Sequence, residues 1–367
     1  MYRHLLSPGR IGGLEVANRV AMAPMGVEIV EGRARFTGAN AAAVGETTVE
    51  FDAALVSTGS SPRVPDWADV DGERVLTTRH AYHLDALPEH VVVIGAGVTG
   101  VEFVHIFSSL GSQVTLIVSR HQVLPHRDAE VAIVLEEDFL ERGVKLLKGA
   151  RASAIQGGDD GVVVETDDGR RVEGSHALLA VGAIPNTADL GLEAAGVEVD
   201  GGYVVVDEFL RSSVPHIYAA GDVTGQTPLS SVAAMQGRKA AQHALGHKVT
   251  PSNYRKMAQA IFTEPEIASV GLEEVDAAAE GRKVRITKVP FAANPRALIQ
   301  GNPNGFAKVI SDPATHEVLG GTIVGHHASE LIAILAVAVQ GRLTVHNLVE
   351  TLMVYPSLAE SLMEAAD

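Results

Sequence analysis

The chain has 367 residues, no cysteine, and 29 basic against 45 acidic side chains, a formal charge of −16. At roughly 100–200 residues per domain, this length holds two or three domains with real cores. The missing thiols exclude a disulfide framework, thiolate zinc or iron–sulfur ligation, and any cysteine nucleophile. The acidic balance argues against nucleic acid or anionic lipid as a partner, so an anionic ligand has to be held locally. The apolar run over 331–339 is far short of the roughly 20 residues that span a bilayer, and the start lacks a secretory apolar core. A soluble cytoplasmic protein is expected.

From about residue 50 to 220, short β-branched runs alternate with helical patterns, as in a parallel α/β sheet. A buried strand is predicted over 91–94, a helix over 98–110 ended by Gly111, and a second strand over 114–118, together one βαβ unit. A helix over 129–142 stops at Gly143 before a strand over 144–147. Residues 162–172 alternate around Asp168-Gly169, which predicts a hairpin. Beyond Pro251 the pattern changes to mixed strands and one strongly apolar helix over 329–340, capped by Gly341. That part reads as a separate α+β domain.

Gly95-Ala96-Gly97-Val98-Thr99-Gly100 follows a predicted strand and opens a predicted helix, the context in which this glycine spacing signals a dinucleotide site. Gly95, Gly97 and Gly100 allow a tight turn, close approach of a pyrophosphate and close helix packing. The free N–H groups of the helix start favour negative charge. An NAD site commonly ends its second strand with a carboxylate for the ribose 2′-hydroxyl. Here Val118 is followed by Ser119, Arg120 and His121, and a guanidinium beside a hydroxyl suits a 2′-phosphate. NADP, or tolerance of both NADP and NAD, is favoured; the alternative is that Arg120 and His121 are solvated loop residues. No metal site is expected from the 15 histidines, since His326-His327 and His80/His83 lack carboxylates at ligand spacing.

Further segments, in order, resemble the FAD-dependent pyridine nucleotide–disulfide oxidoreductases. They are Ala54-Leu55-Val56-Ser57-Thr58-Gly59-Ser60-Ser61-Pro62, the fingerprint with Glu102 just after it, Val181-Gly182-Ala183-Ile184-Pro185-Asn186-Thr187, and Ile217-Tyr218-Ala219-Ala220-Gly221-Asp222. The stretch from Phe262-Thr263-Glu264-Pro265-Glu266 to Ala328-Ser329-Glu330-Leu331-Ile332 is similar to that family's dimerisation domain. The resemblance covers about residues 28–367 and is nearest the cysteine-free NAD(P)H:quinone reductase branch related to dihydrolipoamide dehydrogenase. It implies a Rossmann-like NAD(P) domain over 81–187, inserted in a partial FAD domain over 28–80 and 188–250, followed by a dimerisation domain over 251–367. It implies further that Asp222 beside Gly221 bonds the flavin ribitol, Thr58 and Gly59 lie along its diphosphate, and Ala34 lies near its adenine. Leu229 would start the helix under the isoalloxazine, and Glu102 would meet the nicotinamide end, with Thr99 and Gly182 also among the cofactor contacts.

Two departures matter. The family's His-Pro-Thr-x-x-Glu appears as Tyr355-Pro356-Ser357-Leu358-Ala359-Glu360. The phenol of Tyr355 can donate to a quinone oxygen but is a poor base at neutral pH, and interface packing is the other role open to it. Residues 1–90 also lack a first Gly-x-Gly-x-x-Gly unit. Instead, residues 2–27 resemble the opening of an old yellow enzyme barrel, whose fold needs about 250 residues. Two functions stay open: a flavin-dependent NAD(P)H oxidoreductase passing electrons to a quinone or other non-thiol acceptor, impaired if FAD is not retained, or a non-catalytic NAD(P)-binding remnant. A homodimer is expected for either.

Overall fold

The structure is a computed structural model that describes residues 9–11, 14–16, 29–158 and 160–367. Most of the old yellow enzyme-like segment, including residues 18–25, lies outside the described residues. The chain divides into two compact units, Met1–Asp52 with Asp189–Gly196, and Ala53–Ala188 with Val197–Asp367. In the first, Gly9–Ile11 pairs with Leu14–Val16, and Ala34–Gly38, Ala41–Val44 and Thr47–Glu50 form an antiparallel meander. Phe36 and Phe51 meet edge to face at 5.8 Å, and Phe36 N donates to Leu190 O at 2.7 Å, which ties the returning 189–196 stretch to the meander.

The second unit holds a five-stranded parallel sheet in the order Lys145–Lys148, Gln113–Val118, His90–Ile94, His176–Leu179, Val75–Thr77. Both faces are covered, so the central strands are continuous apolar runs rather than alternating ones. Val91, Val92, Val93, Leu116 and Leu178 are all fully buried. The helix Ala129–Glu141 lays Val131, Leu135 and Phe139 on the sheet at a spacing of four. Each such side chain contributes about 1.5–3 kcal/mol by leaving water. Val75–Thr77 joins this sheet from upstream of the 81–187 range expected for the domain. Its turn is tied by Asp71 Oδ1, which accepts from the backbone N of Glu73, Arg74 and Val75. Three residues are too few to show a strand period. The hairpin read around Asp168-Gly169 is the pair Gly161–Thr166 and Arg171–Gly174, with Ala152–Gly158 alongside.

A second sheet, antiparallel, runs Gln259–Ile261, Glu266–Gly271, Val318–Gly325, Phe306–Ser311, Arg285–Pro290. The helix Ala328–Gly341 covers it with Ile332, Leu335, Ala338 and Val339 buried, and Glu360–Ala366 adds Leu362 and Ala365. Val337 stays 66% exposed, so the apolar helix is not covered all round.

An ionic joint links the two sheets' elements. Lys308, fully buried, holds its ammonium against Asp128, against Glu130 at 2.7 Å and against Glu274 at 3.4 Å. Burial works against the charge, but hydrogen bonds and attraction from Asp128 and Glu130 outweigh it and raise the lysine pKa. Asp128 heads the helix Ala129–Glu141, yet its carboxylate accepts from Val275 N at 2.9 Å and Glu274 N at 3.3 Å, capping the helix Glu274–Ala279 instead. Beside it, Arg127 pairs with Glu273 and donates to Ser269 Oγ at 2.7 Å and Gln259 Oε1 at 3.0 Å. Among the described residues, Asp128, Glu130 and Glu274 form the acidic group with metal-ligand spacing, and the ammonium of Lys308 forms an ion pair with each of the three.

Candidate functional site

The strand His90–Ile94 delivers Gly95 into a tight turn and the helix Val98–Leu110 begins two residues after Ala96. The fingerprint glycines divide the work. Gly95 has φ +109°, and a Cβ there would lie 2.4 Å from Ala180 O. A Cβ on Gly100 would lie 1.8 Å from Gly95 O, so these two serve backbone packing. Gly97 is different: a Cβ would meet nothing within 4 Å. It caps the helix without a side chain, leaving the first-turn N–H groups to a ligand.

Gly97 opens onto a crevice of about 570 Å³ lined also by Gly95, Ala96, Ser119, Arg120, Gln122, Arg151 and Gly182, with Arg63 and Trp67 among the other lining residues. The position, at the carboxyl ends of parallel strands, is where open α/β sheets take ligands. The loop that carries Ser119 and Arg120 is fastened along its length. Leu124 N donates to Ala96 O at 2.8 Å, Val123 N to Glu136 Oε1 at 2.9 Å, and Gln122 Nε2 to Arg127 O at 3.2 Å. Leu124 is buried with φ 48°, a left-handed backbone that leucine adopts only under such constraint.

Thr99 and Glu102 do not line that crevice. They face a neighbouring cleft of about 430 Å³ with Thr78, Tyr82, Phe103 and Phe262. Glu102 Oε1 accepts from Phe262 N at 3.0 Å. Burial raises the Glu102 pKa, and the Phe262 N–H pulls the other way without cancelling it.

The residues assigned to a flavin by resemblance gather at the ends of a parallel strand pair, Ala54–Val56 and Ile217–Ala219. Thr58 Oγ donates to Asn186 O at 2.7 Å, Asn186 Nδ2 to Thr58 O at 2.8 Å, and Asn186 N to Gly59 O at 2.9 Å. Gly59 has φ +68° and open space where a Cβ would stand. Ser60 Oγ donates to Asp222 Oδ2 at 2.6 Å, leaving Oδ1 without a partner among the described residues. Gly221 N donates to Oε1 of the fully buried Gln236, whose Nε2 donates to Tyr254 Oη. Leu229 caps the helix Ser230–Ala244. Tested against a flavin nucleotide, the preformed carboxylate of Asp222 and the open Gly59 turn fit its sugar-alcohol side. The described residues hold one glycine cradle of the fingerprint kind. Ala34 opens a strand of the other compact unit.

Tyr355 is 74% exposed and makes no hydrogen bond among the described residues. Glu360 does not reach it, because its Oε2 accepts from Ser357 N at 2.9 Å. His326 stands 4.0 Å from Glu264, and His80 is engaged with Thr77 at 3.1 Å. Arg151, Gln122, Arg63 and Trp67 were not among the residues expected in the crevice. Arg151 had a signal, since it follows the third parallel strand, whose end faces the same crevice.

A family model described as pyridine nucleotide-disulphide oxidoreductase matches residues 9–237, and a model of that family's dimerisation domain matches residues 257–366. A NAD(P)H dehydrogenase (quinone) of Mycobacterium tuberculosis is 48% identical over 354 residues, covering 93% of this chain and 72% of that protein. A dihydrolipoyl dehydrogenase of Haloferax volcanii is 38% identical over 356 residues, covering 93% and 74%. The crystal structure of LpdA from Mycobacterium tuberculosis superposes with a TM-score of 0.87 at 47% identity, over 93% of this chain and 77% of that one.

Proposed function

Because the chain belongs to the pyridine nucleotide-disulphide oxidoreductase family, we propose that it oxidises NAD(P)H through a bound flavin and passes the electrons to a quinone or another non-thiol acceptor. The observation that carries the reading is the open Gly97 cradle at the head of a parallel sheet, with Ser119 and Arg120 on its rim. The absence of cysteine removes dithiol chemistry from this chain, and the similarity to a protein named for quinone as acceptor supports the choice.

In this mechanism the first-turn amides after Gly97, with Gly95 and Gly182, receive the coenzyme pyrophosphate, and Gly100 keeps the helix close against the turn. Ser119 and Arg120 take the adenosine ribose, the guanidinium favouring a 2′-phosphate. Thr99 and Glu102 orient the nicotinamide end from the adjoining cleft. Thr58, Gly59, Gly221, Asp222 and Leu229 hold the flavin, with Ser60 and Gln236 fixing Asp222 and Gly221 in place. A flavin bound there supplies hydride acceptance and onward electron transfer. By the family resemblance the C-terminal segment reaches the other subunit's site in the dimer, where Tyr355 donates a proton to the reduced quinone oxygen and regains it from solvent, and Glu360 steadies the turn that carries it. A homodimer through residues 251–367 is supported by the exposed Leu352, Val354 and Tyr355 and by the match to a dimerisation domain. Among the described residues, no helix is long and apolar enough to cross a membrane.

A single glycine cradle among the described residues favours a second reading, a NAD(P)-binding dimer without turnover. The as-purified protein decides between them. A flavin spectrum with quinone-dependent NAD(P)H oxidation is expected. Flavin-loaded protein that gives no quinone dependence overturns the acceptor, and a colourless, inactive dimer that still binds NADPH overturns the enzyme in favour of the second reading.

A further inference from the structure

We propose that Arg151 is a second specificity-determining residue of the crevice, closing with Arg120 on a phosphate at the adenosine end of the coenzyme. The proposal rests on the reading of the crevice as a coenzyme site and adds a residue from a different loop.

The loops after Gln113–Val118 and Lys145–Lys148 are sewn together beyond the ends of their strands. Gly149 N donates to Arg120 O at 3.1 Å, and Ala150 N to Val118 O at 3.3 Å. Parallel pairing thus continues up to the rim and sets Arg120 and Arg151 on neighbouring loops, both lining the crevice. The Arg151 main chain is anchored on its far side as well. Its N donates to Asp167 Oδ1 at 3.0 Å, and its O accepts from Asp167 N at 2.9 Å.

Charge supplies the second argument. The adjoining hairpin carries three carboxylates, Glu165, Asp167 and Asp168, and none of them forms an ion pair with Arg151. Each is committed elsewhere: Glu165 pairs with Arg171 at 3.4 Å, Asp168 pairs with Arg170 at 2.6 Å, and Asp167 holds the Arg151 backbone. Arg120 and Arg151 are left exposed, with neither ion pair nor side-chain hydrogen bond among the described residues, in a chain of net charge −16. Two guanidiniums on one rim repel each other until an anion stands between them, and a phosphate dianion accepts from both in fork geometry. A ribose 2′-hydroxyl offers no such charge, so the pair discriminates for NADP over NAD.

The test is calorimetric titration of the full chain with adenosine 2′,5′-bisphosphate and with AMP, neither of which undergoes redox chemistry. Wild-type protein is expected to bind the bisphosphate about tenfold more tightly than AMP, or better, the scale of one charge-assisted contact. Arg151→Ala should remove about tenfold of bisphosphate affinity and leave AMP within about twofold, so that AMP serves as the folding control. Arg151→Lys should recover part of the loss, because charge returns without the fork. Bisphosphate affinity unchanged in Arg151→Ala overturns the proposal alone, whereas equal binding of both nucleotides by wild-type protein overturns it together with the 2′-phosphate role of Arg120. If neither nucleotide binds, the reading of the crevice itself fails and the proposal falls with it.

Discussion

Replacing Lys308 by methionine keeps the shape of the side chain and removes the cation that Asp128, Glu130 and Glu274 share. Deleting one partner of a buried ion pair costs about 3–5 kcal/mol, because the remaining charge stays buried and uncompensated. The lower end applies here: Asp128 keeps the N–H groups of Glu274 and Val275, and Glu130 keeps Lys288. A loss of about 3 kcal/mol near neutral pH follows. Its pH dependence has a defined sign. Burial would raise the Glu130 pKa, but hydrogen bonds from Lys288 and Lys308 lower it below the ordinary 4.5. The stabilisation is therefore present above that value and lost as pH falls through the folded one. For Lys308, whose pKa is raised above 10.5, it is present below that value and lost only as pH rises through the folded one. The deficit of Lys308→Met is thus a plateau across neutral pH that shrinks in acid. Urea unfolding followed by Trp67, the only tryptophan, reports on the parallel-sheet domain. Adding Asp128→Asn should restore part of the loss. A deficit below about 1 kcal/mol at neutral pH, or one that is the same near pH 4 as near pH 7, refutes the assignment.

Arg120→Ala should weaken NADPH by about 1–3 kcal/mol and leave NADH nearly unchanged, read from quenching of Trp67 in the crevice; equal losses would sink the 2′-phosphate assignment. Glu102 has a raised pKa, so its ionised form costs stability above the ordinary carboxylate range. Glu102→Gln, which can still accept from Phe262 N, should raise the melting temperature at neutral pH and leave it unchanged in acid, and a lowered melting temperature at neutral pH contradicts this. Lipoamide and glutathione disulfide should not be turned over, and dithiol-dependent activity in pure protein would contradict the reading. Sedimentation at micromolar concentration should give a dimer; a stable monomer leaves Tyr355 and Glu360 without a catalytic role.

The fingerprint is legible from the sequence because its demands are local. Gly95 and Gly100 are forced by atoms a few residues away or in the adjoining strand turn, and strand, turn and helix follow one another within about twenty residues. Ser119 and Arg120 are legible for the same reason. Arg151 is legible only in its place after the third parallel strand; its meeting with Arg120 depends on the register between two parallel strands and on Asp167 being used by the backbone. Lys308 is the clearest miss. It sits in Phe306–Ser311, a strand buried on both faces, and its main partner, Asp128, is 180 residues away in the chain. Nothing near either residue marks the pairing. The expected partnership of Tyr355 and Glu360 follows a motif whose histidine is gone, and the glutamate has turned to the Ser357 amide instead.

The stretch from Ser119 to Asp128 serves two masters. Its first residues line the crevice, while Arg127 and Asp128 are riveted to Ser269, Gln259, Glu273 and the helix Glu274–Ala279. A graft of the whole loop from a relative with another coenzyme preference would import foreign anchors along with the new lining, and would trade away the joint to gain selectivity. Within this loop, preference can drift safely only by single substitutions at 119–122, with 127 and 128 held constant. In lineages that keep this joint, coenzyme choice is therefore expected to change residue by residue rather than by exchange of the loop as a module.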